Sequence, residues 1–220
     1  MSYKLLDLFC GGGGCGVGYN RAGFEVTGVD LHPQKYYPYE FIQSDALEYL
    51  AYNWKNYDAI HLSPPCQAFS PASSDKANQY PDLFPSLRPL LKEVNIPYII
   101  ENVNNAPLRK DIILYGYMFG LKVVRKRVFE LGNWFMLQPS IPAKVGSVRN
   151  GDYATVVGKG SHTTGKKGIK KPVFDQGSIK ATWQYAMGID WIDNCDVISE
   201  SIPPAYTEYI GKQLYDFLTR

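Results

Sequence analysis

Apolar and polar positions along this chain repeat with two periods. Lys4–Phe9 (KLLDLF), Glu25–Val29, Phe41–Gln43, Tyr57–Leu62 (YDAIHL) and Pro97–Ile100 (PYII) are short, mostly apolar runs of strand length. Gly14–Gly23, Ala46–Tyr52 and Asp82–Val94 lie between them with helical spacing, and Gly23 supplies a C-terminal stop. Such alternation predicts an α/β fold made of βαβ units, a mostly parallel sheet with helices on both faces. Right-handed crossovers then gather the C-terminal strand ends on one rim, where ligands bind in sheets of this kind. After Lys122 the pattern changes. Val123–Leu131 reads as a strand or hairpin arm, and Gly132–Gly177 is rich in Gly, Pro and Lys without a period. Thr182–Met187 and Pro204–Leu218 return to helical spacing, the latter through Ala205, Tyr209, Ile210, Leu214 and Phe217. The expected organisation is one sheet domain formed by residues 1–131 and 179–220, with 132–178 as a small insert.

Composition changes this picture in three places. At 45% hydrophobic and 20% charged, the 220 residues suit a folded domain able to bury its own core. Net charge is only +2, but Gly132–Lys180 holds eight basic against two acidic residues, a basic segment on a mildly acidic body. A localised polyanion contact and an ordinary solvated lysine loop both fit that asymmetry. The four cysteines (Cys10, Cys15, Cys66, Cys195) contain no CxxC pair, and the three histidines form no ligand cluster, so no metal site is expected. With no apolar run of spanning length and no signal-like N-terminus, the expectation is a soluble, monomeric, cytoplasmic protein with reduced thiols and no membrane contact.

Three segments carry candidate chemistry. Asp7–Gly18 (DLFCGGGGCGVG) is a strand, a glycine turn and a helix, where missing Cβ atoms let backbone approach a ligand closely. A tight structural turn would have the same composition. Asp30 ends the second strand, where a carboxylate accepts from ribose hydroxyls, and Asp45 follows the third, within reach of an amino group. Taken singly, either acid also suits a helix N-cap or a solvated position. No lysine-bearing phosphate cradle is present, so a nucleoside without polyphosphate fits best.

Ser63–Ser70 (SPPCQAFS) follows a strand directly, and its two prolines stiffen the chain before Cys66. Cys10, Cys15 and Cys195 read as small buried hydrophobes, whereas Cys66 opens a polar loop with Gln67. Tyr98–Val103 (YIIENV) carries Glu101 to the same rim. A carboxyl group in partly apolar surroundings has a raised pKa and suits a proton donor. A nucleophile and an acid on neighbouring strand ends form a catalytic pair; a lone strand-end glutamate would be ordinary.

DLFCGGGGCGVGYNRAGF, SPPCQAFS, YIIENV, RKRVFEL and SIPPAYTEYIGKQL follow the order of the motifs of the cytosine-5 DNA methyltransferases. The chain resembles a short, phage-type member of that family from Lys4 to about Leu131 and from about Ile179 to Leu218. The resemblance implies a Rossmann-like methyltransferase fold and transfer of a methyl group from S-adenosylmethionine to carbon 5 of cytosine, leaving S-adenosylhomocysteine. The partner it implies is double-stranded DNA, whose target base must leave the stack to be reached. By position, Cys66 would add to carbon 6 of the base and Glu101 would hold or protonate ring nitrogen 3. Arg127 would bind the exocyclic oxygen and the Glu101 carboxylate, with Arg125 and Gln67 in support. Asp7, Phe9, Gly11, Gly13, Asp30, Leu31, Asp45, Ala46, Pro65 and Ser201 would line the cofactor site. Ser70, Lys159, Lys166, Lys167, Lys170 and Lys171 would meet DNA, and Arg149, His162, Thr163 and Thr164 are candidate base readers.

The chain departs from the family pattern at Val123, where a glutamine is usual, at Ser199-Glu200, where glycine-asparagine is usual, and in ATWQYAMGIDWI, which matches the family's helix only loosely. An insert this small predicts a short or degenerate recognised sequence. RNA as substrate, a single nucleotide as substrate, and an inactive DNA-binding relative are the rival readings; intact Cys66, Gln67, Glu101 and Arg127 speak against the last.

Overall fold

The computed structural model describes residues 2–69, 81–158 and 170–220. A seven-stranded sheet runs through it in the order β3-β2-β1-β4-β5-β7-β6. The strands are β1 Lys4–Leu8, β2 Glu25–Asp30, β3 Glu40–Gln43, β4 Ala59–Leu62, β5 Tyr98–Asn102, β6 Ile112–Leu114 and β7 Arg127–Gly132. The first five pair in parallel, and β7 turns antiparallel between β5 and β6. The strand order reverses between β1 and β4, and at such a switch point the loops part and leave a crevice at the C-terminal edge. The glycine turn after β1 and the Cys66 loop after β4 both leave the sheet there.

Among the described residues six α-helices accompany the sheet: α1 Gly14–Arg21, α2 Ala46–Asn53, α3 Phe84–Glu93, α4 Ile179–Met187, α5 Cys195–Glu200 and α6 Pro204–Thr219. Strand side chains alternate between two cores. Leu5, Ala59 and Ile99 pack with Tyr19 of α1 and Tyr206, Ile210 and Leu214 of α6. Leu6, Leu8, Ile60, Leu62 and Ile100 pack with Leu50 of α2 and Leu87 and Leu91 of α3. Apolar residues on both faces of these strands explain their near-continuous hydrophobic runs. A third cluster joins Val123, Ala154 and Val156 to Trp183, Met187 and Ile192. Val123 is therefore a buried core residue bridged to Ala154, which accounts for an apolar side chain at that position.

Small residues set how closely α1 approaches α6. A Cβ on Gly18 would lie 2.0 Å from Thr207 Oγ1 and 2.2 Å from the Pro204 carbonyl, and one on Gly14 would lie 2.2 Å from the Ile202 carbonyl. Thr207 Oγ1 donates to the Cys15 carbonyl at 2.9 Å across the same contact. Gly18→Ala should therefore push α6 outward and cost about 1–3 kcal/mol, the usual range for overpacking, read from urea unfolding midpoints at unchanged slope.

Several boundaries differ from the sequence reading. β5 runs on through Asn102, so Glu101 belongs to the strand itself. Val123–Arg125 is not strand: Arg125 turns the chain with φ 32° before β7 begins at Arg127. β6 and α5 were not foreseen, because three and six residues are too short to display a period. Cys195 is half-buried at the start of α5 and is not the buried hydrophobe expected; Cys10 and Cys15 are buried. Among the described residues, 133–158 and 170–178 form no helix and no strand. No described helix is long and apolar enough to cross a membrane, and no described His, Cys, Asp or Glu residues group as a metal site.

Candidate functional site

Phe9 and Gly11 leave β1 with positive φ values of 59° and 48°, which bends the chain sharply over the sheet edge. Asp30, at the end of β2, accepts the Gly11 N–H at 3.1 Å on one oxygen and the His32 N–H at 3.1 Å on the other. The acid thus ties the two strand-end turns together. No atom lies within 4 Å of a Cβ built on Gly11, so this side of the turn is open. Asp45 caps α2, its Oδ1 accepting the Leu47 and Glu48 N–H groups at 2.9 Å each. The cap expected of an isolated Asp is therefore real, and it leaves the second carboxylate oxygen for another donor. Leu31 is exposed beside Asp30, Ala46 is buried behind Asp45, and Pro65 is exposed at the switch point. Ser201 packs beside Gly12, with its hydroxyl donating to the Val197 carbonyl at 2.7 Å.

Asp7 lies one layer deeper. Its side chain has no exposure and accepts from the Tyr37 hydroxyl at 3.2 Å, and burial raises its pKa to about 8. Tyr37 fits only because Gly28 beside it has no side chain: a Cβ there would sit 2.3 Å from the ring. The sequence reading missed Tyr37.

On the other side of the switch point, Asn102 donates to the Pro64 carbonyl at 2.8 Å and so clamps the Cys66 loop to β5. Glu101 and Arg127 face each other across β5 and β7, Nε to Oε1 at 3.0 Å. The two charges are in contact, yet their alignment leaves Oε1 without a hydrogen bond. Burial raises the Glu101 pKa first; Arg127, Arg125 and the Ser63 hydroxyl oppose it. Burial likewise pushes the Cys66 thiol up, as does the Glu101 charge, against Arg127 and Arg125. Gln67 Oε1 and Arg125 Nε are also buried without a partner. Unmet polar atoms are uncommon in a protein interior, and these three belong to the Cys66, Glu101 and RKR motifs, with Asp7 Oδ1 a fourth beneath the glycine turn. Arg125 spends its other nitrogens on backbone, donating to Val156 O at 3.0 Å, Ser199 O at 2.7 Å and Ser201 O at 2.6 Å. It fastens the α5–α6 junction to the site. Glu200 is exposed at the end of α5.

Residues 3–111 match the model of the C-5 cytosine-specific DNA methylases, and both the Cys66 and the Glu101 motifs fall inside that match. The chain belongs to this family. A curated relative, the type II methyltransferase M.FnuDI of Fusobacterium nucleatum, is 30% identical over 159 residues, which are 59% of this chain and 46% of that protein. The chain thus spans about half the length of the curated relative it matches. Two solved structures share the fold over the whole of both chains. One is encoded within an E. coli prophage and assigned as a DNA modification methyltransferase (TM-score 0.62, 18% identity); the other is the Dnmt2 methyltransferase of S. pombe (TM-score 0.60, 15% identity). The sheet is that of the Rossmann-like S-adenosylmethionine-dependent methyltransferases.

Of the residues named from the sequence, Cys66, Glu101, Arg125 and Arg127 lie near one another, while the glycine turn, Asp30 and Asp45 stand at the ends of β1, β2 and β3. The lysine-rich segment is different: Ser70, Lys159, Lys166, Lys167, His162, Thr163 and Thr164 lie outside the described residues. Lys170 is exposed, and Lys171 is exposed but paired with Asp175 at 2.6 Å. Sequence reasoning also missed the Asn102 clamp and the polar residues His61 and Ser63. Their two-residue spacing along a strand was a usable signal, since it puts both on one face.

Proposed function

We propose that this protein methylates carbon 5 of cytosine in DNA with S-adenosylmethionine as methyl donor. The observation that carries the reading is the convergence of Cys66, Gln67, Glu101 and Arg127 at one rim, beside a glycine turn flanked by two strand-end carboxylates. The donor set fits a nucleoside: Asp30 suits ribose hydroxyls, the free oxygen of Asp45 suits an adenine amino group, and exposed Leu31 offers an apolar wall. Phe9, Gly11, Gly13, Ala46, Pro65 and Ser201 complete the surround, with Asp7 supporting the turn from below. When bound, S-adenosylmethionine supplies an electrophilic methyl group.

Carbon 5 of cytosine is a weak nucleophile until the aromatic ring is broken. Cys66 breaks it by adding its sulfur to carbon 6 while Glu101 passes a proton to ring nitrogen 3, placing electron density on carbon 5. The Glu101 charge raises the Cys66 pKa, and Arg125 and Arg127 favour the charged form of both groups, so neutralising Glu101 makes the thiolate easier to form. A protonated Glu101 therefore permits the thiolate, and Arg127 steadies the exocyclic oxygen. After methylation the carbon 5 proton passes to solvent, the Cys66–carbon 6 bond breaks and the nitrogen 3 proton returns to Glu101, restoring the ring, the thiolate and the acid. The base must be extruded from the duplex to meet this rim.

Residues 132–178 are proposed as the target-recognition insert, with Lys159, Lys166, Lys167 and Lys170 following the phosphate backbone. If about four charges meet phosphates, the logarithm of the binding constant should fall with the logarithm of salt at a slope of roughly −3.6. Changing Lys166, Lys167, Lys170 and Lys171 together to Ala should flatten that slope and weaken binding to all duplexes alike, because phosphate contacts carry no base information. An unaltered slope, or methylation confined to RNA, would reject DNA gripped by this insert.

A further inference from the structure

Beneath the rim, a line of polar side chains crosses from α1 to β4 and on to β5. The Tyr19 hydroxyl lies 2.9 Å from His61 Nδ1, and His61 Nε2 lies 2.8 Å from Ser63 Oγ. Ser63 Oγ is 3.7 Å from Cys15 Sγ, and the Ser63 hydroxyl is among the groups that hold the Glu101 pKa down. Strand register explains the juxtaposition. His61 pairs with Ile99 and Leu62 with Ile100, so the next step sets Ser63 opposite Glu101, on the face His61 also shares. Tyr19 and His61 have no exposure, and Glu101 has 4%. Buried polar groups of this kind are costly unless each one is satisfied, so apolar packing alone does not account for them.

Counting protons gives the line a direction. Burial lowers the His61 pKa to about 3, so the ring is neutral and carries one N–H. Were that proton on Nδ1, it would go to the Tyr19 oxygen, and the Tyr19 proton would lose the partner it has among the described residues. Ser63 would then give its proton to Nε2 and turn a lone pair toward Glu101. With the proton on Nε2, Tyr19 donates to Nδ1 and Nε2–H donates to Ser63 Oγ. Cys15 S–H approaches the same oxygen, and the Ser63 proton is left for Glu101. The second arrangement satisfies every group, so the tautomer follows from the network.

We propose that Tyr19, His61 and Ser63 form a one-way hydrogen-bond chain that aims the Ser63 hydroxyl at Glu101, making Tyr19 and His61 positioning residues for an acid they do not touch. This rests on the role given to Glu101 under the proposed function. The charged and titratable groups around Glu101 are Arg125 before β7 and Arg127 at its start, Cys66 after β4, Cys15 and Tyr19 on α1, and Tyr206 on α6. Against them, the Ser63 bond favours the charged carboxylate and fixes which way it points. Ser63→Ala removes that bond, so the Glu101 titration should move to higher pH.

Nitrogen-15 imidazole spectra of the whole protein test the chain without any methylation assay. The sequence has only three histidines, so the His61 signal is assigned by one substitution. The expected spectrum is neutral His61 with its proton on Nε2 between about pH 5 and 8; a proton on Nδ1 overturns the proposal. In single turnover, Ser63→Ala should lose about tenfold, the scale of a hydrogen bond to a charged group, Tyr19→Phe somewhat less, and Ser63→Thr should recover most of the rate. The double variant should be no slower than Ser63→Ala alone, because both changes act through one hydroxyl. Losses that multiply, with an unmoved Glu101 titration, would mean the residues serve only packing. If neither DNA nor RNA is methylated while the tautomer and the Glu101 titration follow the chain, the functional reading fails and the hydrogen-bond chain stands. If cytosine is methylated but the losses multiply, the functional reading stands and the hydrogen-bond chain fails.

Discussion

Cys66→Ala is expected to lower methyl transfer by roughly five to six orders of magnitude, the scale seen when a covalent nucleophile is removed, while S-adenosylmethionine binding stays near the wild-type value. Two prolines and the Asn102 clamp on Pro64 hold the loop that presents the thiol, so its loss leaves the scaffold intact. The carboxylates and glycine turn proposed to hold the cofactor lie at the β1, β2 and β3 ends, on the other side of the switch point. Calorimetry of cofactor binding and single-turnover transfer, measured on the same preparation, separate the two effects. A variant that still methylates at a measurable rate would mean that the sulfur takes no covalent part.

Glu101→Gln is the second large effect. The amide keeps the size and one hydrogen-bonding oxygen but has no proton to give. Single-turnover chemistry should slow by roughly two to four orders of magnitude, the usual weight of general acid–base help. The substitution also removes the charge that meets Arg127 at 3.0 Å and raises the Cys66 pKa. The Cys66 thiol should therefore titrate at lower pH in Glu101→Gln than in the wild type, as followed by the rate of alkylation. A lower thiol pKa together with a slower reaction isolates the proton as what was lost. Unchanged chemistry would leave Glu101 with a structural role only.

Much of this could be read from the chain, for identifiable reasons. β1, β2, β4 and β5 are buried on both faces, so each appears as an apolar run, and their alternation with helices foretold a parallel sheet. Cys66 and Glu101 stood out because a polar loop and a carboxylate follow directly on apolar strands. What stayed hidden depends on partners distant in sequence. Asp7 looks like a cofactor acid until Tyr37, thirty positions on, is seen to cover it. Arg125 looks like a second substrate arginine, yet its donors reach backbone at Val156, Ser199 and Ser201. The helix cap at Asp45 and its place after the third strand were both foreseeable; the β2–β3 pairing adds that this strand end lies beside that of Asp30.

The most direct test of covalent cytosine methylation is a mass measurement on the wild-type protein incubated with S-adenosylmethionine and duplex DNA containing 5-fluorocytosine. Fluorine cannot leave carbon 5 as a proton does, so the bond from sulfur to carbon 6 should persist. The predicted result is a denaturation-resistant protein–DNA adduct that maps to Cys66 and is missing from Cys66→Ala. An adduct that survives in Cys66→Ala, or methylated product with no adduct, would contradict the account.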